Sequence, residues 1–481
     1  MTNESNHAHL KRQQMAVDPY RPLYHFLPPA NWMNDPNGAI YWKGKYHLFY
    51  QYNPNGAFHG TIHWGHTVSE DLVHWTDLPI ALSPTPGGAD REGCYSGGAV
   101  VNDGVPTLIY FGNPDGNCIA TSTDDLLTWQ KPPENPVIPQ SAPGAEWRAF
   151  DPCAWREGDT WYSLAGGRLD DIGDTAFLFR SPDMINWEYL HPFYASELDK
   201  EPESDCAVPD FFPLGGKHML LFASHERGVQ YYIGRYADQK FYPERHGRMN
   251  FGEFGGNSGH LCASITLKDG EGRRIFFGWV SEGRSEAAQR ASGWAGVMCI
   301  PRVLSPFDDD TLRIEPVPEI EKLRGNHRRT TGLRVSGGSS VRLEGISGDC
   351  LELDVELDPG GAEAIGVKVR CAPDGGEQTI IAYDRKEKRL ILDAEQSSVN
   401  PDAVNRGAQR APFALDAGEL LQLRIFVDRS IVEVFANQRV CLTKRIYPSG
   451  KDSVGVEVFA QGGEAVVTSV DAWQMAAIWP E

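Results

Sequence analysis

Long apolar runs are missing from this sequence. No stretch approaches about 18 apolar residues, which argues against a helix that crosses a membrane. Basic charge is scarce as well: 45 Lys and Arg stand against 65 Asp and Glu, a formal net charge of −20. No basic stripe relieves that imbalance, so neither nucleic acid nor an anionic membrane is expected as a partner. The nine cysteines are odd in number, scattered, and never spaced CxxC. That pattern argues against a disulfide framework and against a metal site. The opening residues MTNESNHAHLKRQQMAVDPYRP have no apolar core of a secretory signal. The expectation is therefore a cytoplasmic protein with free thiols. Helical periodicity, finally, is nearly absent.

What is present is aromatic, turn-rich and strand-like. The chain holds 13 Trp, 17 Tyr, 50 Gly and 33 Pro. At 481 residues it exceeds the roughly 250–300 that one core sustains, so two domains are expected. AIYWKGKYHLFYQY (39–52) reads as two strands around a Lys-Gly turn. Runs at 105–112, 159–167, 217–225 and 273–280 are further strands bounded by Gly, Asp or Asn. The fold class is all-β.

An internal repeat refines this. Ser69-Glu70-Asp71-Leu72-Val73-His74-Trp75 returns as Ser122-Thr123-Asp124-Asp125-Leu126-Leu127-Thr128-Trp129 and as Ser181-Pro182-Asp183-Met184-Ile185-Asn186-Trp187. Each copy sits between strand runs, with the tryptophans 54 and 58 residues apart. A period near 50 in an all-β chain indicates four-stranded propeller blades, about five or six of them over the first ~320 residues. After Arg302 the texture changes. Glu315–Arg324 is rich in Pro and charge with room for a short helix, and Gly325–Arg329 reads as a linker. Beyond it the strands 350–357, 364–371, 421–437 and 454–460 alternate as in a β-sandwich with one buried face per sheet.

Three acidic positions stand out: Asp35, Asp151 in Phe150-Asp151-Pro152, and the group Glu201-Pro202-Glu203-Ser204-Asp205. Their spacing puts them on blades one, three and four in equivalent places. Alone, each has a bland reading, since Asp-Pro is usually a turn and an acidic run is usually a solvated loop. Together at one end of a channel they fit glycoside hydrolysis. That chemistry needs an ionised and a protonated carboxyl flanking the bond, about 5–5.5 Å apart for retention and about 6.5–9.5 Å for inversion. Burial of one carboxyl beside another raises its pKa and suits it to act as the acid.

Trp32-Met33-Asn34-Asp35-Pro36-Asn37-Gly38, with Phe49-Tyr50-Gln51-Tyr52-Asn53-Pro54 and Trp64-Gly65-His66, closely resembles the invertase, inulinase and levanase family of β-fructofuranosidases, glycoside hydrolase family 32. Tyr95-Ser96-Gly97-Gly98, Gly293-Trp294-Ala295-Gly296, Ile300-Pro301-Arg302 and Asp428-Arg429-Ser430-Ile431-Val432-Glu433-Val434-Phe435 extend the resemblance to residues 20–475. It implies a five-bladed β-propeller followed by a C-terminal β-sandwich: a tail over 1–20, a catalytic propeller over 21–324 and a sandwich over 325–481. It implies Asp35 as nucleophile and Asp151 as the carboxylate that holds sugar hydroxyls and stabilises the transition state. Asn34, Gln51, Trp64, Tyr95, Ser96 and Arg148 become substrate-binding candidates. No cofactor and no metal are implied, and the partner is a small carbohydrate.

Two motifs depart from the family. Phe150 stands where Arg-Asp-Pro has arginine, leaving Arg148 as the nearest one. The Glu-Cys-Pro motif is replaced by Glu203-Ser204-Asp205-Cys206-Ala207-Val208-Pro209. Glu203 is the preferred acid/base because Glu reaches one methylene further than Asp; Asp205 and Glu201 are the alternatives. The leading expectation is a retaining hydrolase of sucrose, short fructooligosaccharides or related furanosides. Fructosyl transfer or difructose-anhydride chemistry on the same fold is the second reading, and a non-catalytic carbohydrate-binding protein the third. The sandwich is read as structural or as the contact of a homo-oligomer.

Overall fold

The computed structural model describes residues 3–145, 147–169, 172–195, 198, 204–252, 258–404 and 406–479. Five antiparallel sheets follow one another along the chain, each with its first strand innermost. The inner strands are Asn31–Trp42, Gly93–Asn102, Phe150–Glu157, Ala207–Leu214 and Leu261–Lys268. Each abuts the next and the last abuts the first, which closes a five-bladed ring. The seal is a short strand, Trp294–Ala295, that pairs in parallel with Asn31 and Trp32. Gly296, just after it, has φ +86°, and a Cβ there would stand 2.1 Å from the Met33 carbonyl oxygen. Only glycine fits such a backbone approach.

The three-copy repeat is the turn between the third and fourth strands of blades one, two and three. In each, the serine hydroxyl bonds the aspartate, and that aspartate accepts backbone N–H groups further along the turn. Leu72, Leu126 and Met184 then take φ between 64° and 66° and are fully buried. A left-handed conformation costs about 1–3 kcal/mol for such residues. Burial of the apolar side chain and the hydrogen bonds to the aspartate offset it.

Two six-stranded antiparallel sheets follow and face each other over one apolar core. Residues 325–329, expected as a linker, lie in the first sandwich strand, Arg324–Val335. A 3-10 turn over Pro318–Leu323 makes the connection instead. The N-terminal tail also differs from expectation, because Asn3–Met15 is a helix. Its apolar periodicity is negligible, so pattern reading misses it. It is fastened by Arg12, which bonds both carboxylate oxygens of Asp77, donates to the Leu27 carbonyl and stacks 3.2 Å over the Trp479 ring.

Buried charge joins the two domains. Asp428 accepts from the backbone N–H groups of Leu23, Tyr24 and His25 at 2.7–2.9 Å and pairs with the His25 imidazole at 2.9 Å. Glu433 bonds the other ring nitrogen of His25, the Ile300 N–H and the Arg302 guanidinium. Glu282 pairs with Arg284 and Arg445 and accepts from Tyr447 and the Gly296 N–H. Burial raises the cost of ionising Glu433, but the Arg302 charge and the His25 contacts outweigh it and hold the carboxyl down at about 2. Removing one member strands its partners: Glu433→Ala is expected to cost about 3–5 kcal/mol in urea unfolding, with part of the loss recovered in the double variant with Arg302→Met. A loss under about 1 kcal/mol would show that the seam depends on something else.

Candidate active site

Every inner strand carries a bulge at the same height. Asn34 and Asp35 stand opposite one residue, between the pairs Met33–Tyr52 and Pro36–Tyr50. Tyr95 and Ser96 do the same in blade two, Asp151 and Pro152 in blade three, Val208 and Pro209 in blade four. Cys262 is the extra residue of blade five. A bulge breaks the alternation of a strand and re-aims a side chain. Here it does so five times around one ring. Asp151 and Val208 take φ of 46° and 47° to achieve it.

Asp35 is partly exposed at the floor of this cup. Its Oδ2 accepts from Ser96 Oγ at 2.6 Å and from Gln51 Nε2 at 3.3 Å, while Asn34 Nδ2 lies 3.4 Å from Oδ1. Gln51 also bonds Ser96 and Asn34, so the three donors hold one another in place. Trp32 donates to Asn34 Oδ1 at 3.1 Å. Burial raises the pKa of Asp35; Ser96, the charge of His225, Asn34 and His59 pull against that rise. Asp151 is pushed up to about 7, by burial first and by the Asp35 charge second. Its own relief is smaller: the charge of His225 and one backbone donor, the Val208 N–H. The two carboxyls therefore titrate as a pair. More donors face Asp35, so the negative charge rests there first, and Asp151 gives up its proton only around neutrality.

The remaining sequence candidates fall in different places. Gln51 and Ser96 are buried beside Asp35, and Tyr95 is half-buried with its ring 6.3 Å from His59. Trp64 is wholly enclosed, packed on Phe49 and Tyr110, and its indole N–H donates to the Tyr95 carbonyl at 2.9 Å. It holds the second bulge in shape from behind. Arg148 is exposed, and no hydrogen bond or ion pair joins it to Asp35 or Asp151 among the described residues. Glu203 and Glu201 lie outside the described residues. In blade four the bulge place that Asp151 holds in blade three is taken by Val208, with Ala207 before it. Asp205 is bound to His225, accepting from its backbone N–H at 2.8 Å and facing its Nδ1 at 2.6 Å.

His225 and His59 were not singled out from the sequence. The signal for His225 was cross-strand register: Ala207 pairs with Ala223, which sets Asp205 against His225 two steps on. A cavity of about 550 Å³ lies on the outer sandwich sheet, away from these carboxyls. Below the cup the channel is nearly filled, with about 50 Å³ left between the inner strands. The cup is a blind site rather than a pore.

Residues 25–316 match the family described as Glycosyl hydrolases family 32 N-terminal domain, and residues 319–474 match Glycosyl hydrolases family 32 C terminal. The chain is 33% identical to a sucrose-6-phosphate hydrolase of Zymomonas mobilis, over 94% of this chain and 92% of that protein. It is 34% identical to a levanase of Bacillus subtilis, over 96% of this chain and 71% of that one. Fructan 1-exohydrolase IIa of Cichorium intybus superposes with a TM-score of 0.86 at 28% identity, covering 96% and 98% of the two chains.

Ser96→Ala removes the shortest hydrogen bond to Asp35. Because that bond favours the charged form, the Asp35 carboxyl is expected to titrate at higher pH in the variant, read by carboxyl ¹³C NMR. An unchanged or lower value would mean that Ser96 does not set the charge on Asp35.

Proposed function

The chain belongs to glycoside hydrolase family 32, and on that footing we propose that its propeller cup hydrolyses fructofuranosides by double displacement with Asp35 as nucleophile. The observation that carries this is the distribution of donors. Three side-chain amides and hydroxyls converge on Asp35, whereas Asp151 has one backbone N–H and sits near 7. The ionised Asp35 attacks the anomeric C2 of the fructosyl unit as the bond to the leaving oxygen breaks, and that oxygen takes a proton from an acid in the segment that leads into blade four, Glu203 by preference and Asp205 or Glu201 otherwise. Asp151, beside it, bonds hydroxyls of the same sugar ring and moderates the positive charge that grows on it. Water then attacks C2, its proton returns to that acid, and the Asp35 ester breaks. The pocket is blind, so the fructosyl unit enters end-on and the rest of the substrate stays at the rim. That favours terminal fructosyl units of sucrose and short fructooligosaccharides, in keeping with the exohydrolase and hydrolase names of the relatives. The nine free cysteines support placing this activity in a reducing cytoplasm.

Asp35→Asn should lower kcat on sucrose by on the order of 10⁴-fold or more, as loss of a nucleophile does. Rapid-quench mass spectrometry of the wild type should find a fructosyl adduct on the peptide that contains Asp35. Near-normal turnover in the variant would remove Asp35 from the mechanism. Product analysis on sucrose, inulin and levan should show released fructose; dominant oligosaccharide or cyclic products would identify a transferase instead.

A further inference from the structure

Behind the wall of the cup lies a groove that the reaction does not use. The strand Lys45–Asn53 pairs with the strand of Asp35, and the pairs Met33–Tyr52 and Pro36–Tyr50 bracket the Asn34–Asp35 bulge. Side chains alternate along a strand. Gln51 points into the cup, where it bonds Asp35, Asn34 and Ser96. Tyr50 and Tyr52 point the other way, into a groove of about 330 Å³ between the N-terminal helix and the outer strand of blade one. Ala8, Pro29, Pro54, Pro79 and Ile80 give it apolar walls.

We propose that this groove binds a small neutral sugar outside the cup, and that its occupancy is felt at Asp35. Tyr50 is only 3% exposed, yet among the described residues its hydroxyl has no hydrogen-bond partner. The phenol ends over Gly65, where a Cβ would stand 2.4 Å from the ring and 2.8 Å from the oxygen. Glycine at that place lets the hydroxyl reach the groove, which Gly65 also lines. Tyr52, 9% exposed, accepts from Asn31 Nδ2 at 3.3 Å and keeps its own proton to donate. Apolar walls for contact and a few polar groups for orientation are the pattern of a small-molecule site. A sugar ring offers both, with C–H groups on its faces and hydroxyls at its edge. The charges favour a neutral ligand: Asp77 spends both carboxylate oxygens on Arg12, at 2.8 and 3.0 Å, and Lys11 stands alone at the rim. The same Arg12 fastens the helix, so the wall that carries Ala8 is already in place.

One strand carries the effect to Asp35. A ligand held by Tyr50 and Tyr52 grips the residues on either side of Gln51, and with them the two pairs that set the bulge. Asn31, which bonds Tyr52 and the Pro54 carbonyl, pairs with Trp294 where the ring closes. The choice of a sugar as ligand rests on the reading that the cup cleaves fructofuranosides. The walls and hydroxyls of the groove stand without that reading, so binding is measured separately from turnover.

Glucose is the probe, titrated by calorimetry into wild type, Tyr50→Phe and Ala8→Trp. Tyr50→Phe deletes the free hydroxyl and keeps the ring that packs on Phe26. Ala8→Trp fills the groove from the helix. The wild type should bind glucose saturably. Tyr50→Phe should weaken that binding about 5-fold or more, as loss of one hydrogen bond does, and Ala8→Trp should remove it. Without glucose, both variants should hydrolyse 4-nitrophenyl β-fructofuranoside near the wild-type rate. With glucose, kcat on that substrate should change in the wild type and not in Ala8→Trp, whereas glucose seated in the cup would raise KM alone. Equal binding in all three proteins, or no binding in any, would overturn the site; a kcat that glucose leaves unmoved would overturn its coupling to Asp35. A wild type that does not turn over the aryl fructoside would count against the reading of the cup instead, and the calorimetric comparison would still decide the groove.

Discussion

One backbone irregularity, repeated around the ring, is the constraint on which the site depends. A regular strand would point alternate side chains along the blade faces. A single extra residue in each inner strand turns Asp35, Ser96, Asp151, Val208 and Cys262 towards one cup instead. The channel beneath is packed, and the charge of Asp35 acts on Asp151. Both rise in pKa, and the unequal supply of donors decides which one carries the charge. The polar chemistry is thus a consequence of strand register, enforced by burial.

The sandwich contributes to that chemistry without touching it. Asp428 holds the backbone of Leu23–His25, six residues before the strand that bears Asp35. Glu433 holds Ile300 and Arg302 of blade five, and Glu282 ties the Gly296 N–H to Arg445 of the sandwich. These are the two chain ends that meet where Trp294–Ala295 closes on Asn31–Trp32. Opposite charges in an apolar seam are costly to separate, so the second domain locks the ring shut beside Asp35. The segment Asp428–Phe435, which carried no reactive cluster in the sequence, is accounted for in this way.

Much of the fold was legible because its signals are local. The Ser-x-Asp turn with its buried Leu or Met is complete within seven or eight residues, and three copies revealed the blades. The Lys43-Gly44 turn and the alternating sandwich strands are local in the same sense. The helix Asn3–Met15 was not legible, since its stability comes from Arg12 reaching Asp77 and Trp479 rather than from an apolar face. Residues 325–329 looked like a linker because their charged side chains are exposed, yet their backbone pairs with the final strand of the chain.

The sequence by itself determined the all-β class, the two-domain division and the family, and it singled out Asp35, because these rest on turn chemistry, periodicity and contiguous motifs. Only the tertiary structure decided how charge is shared in the cup. Asp151 is pushed up by burial first and by the charge of Asp35, 116 residues away, second. Trp64 became a buried support, and Arg148 an exposed one-off. The partner on blade four is sought among Glu203, Asp205 and Glu201, of which only Asp205 lies in the described residues. The structure sets Asp205 against His225, on the neighbouring strand, a contact that exists only once the two strands are paired.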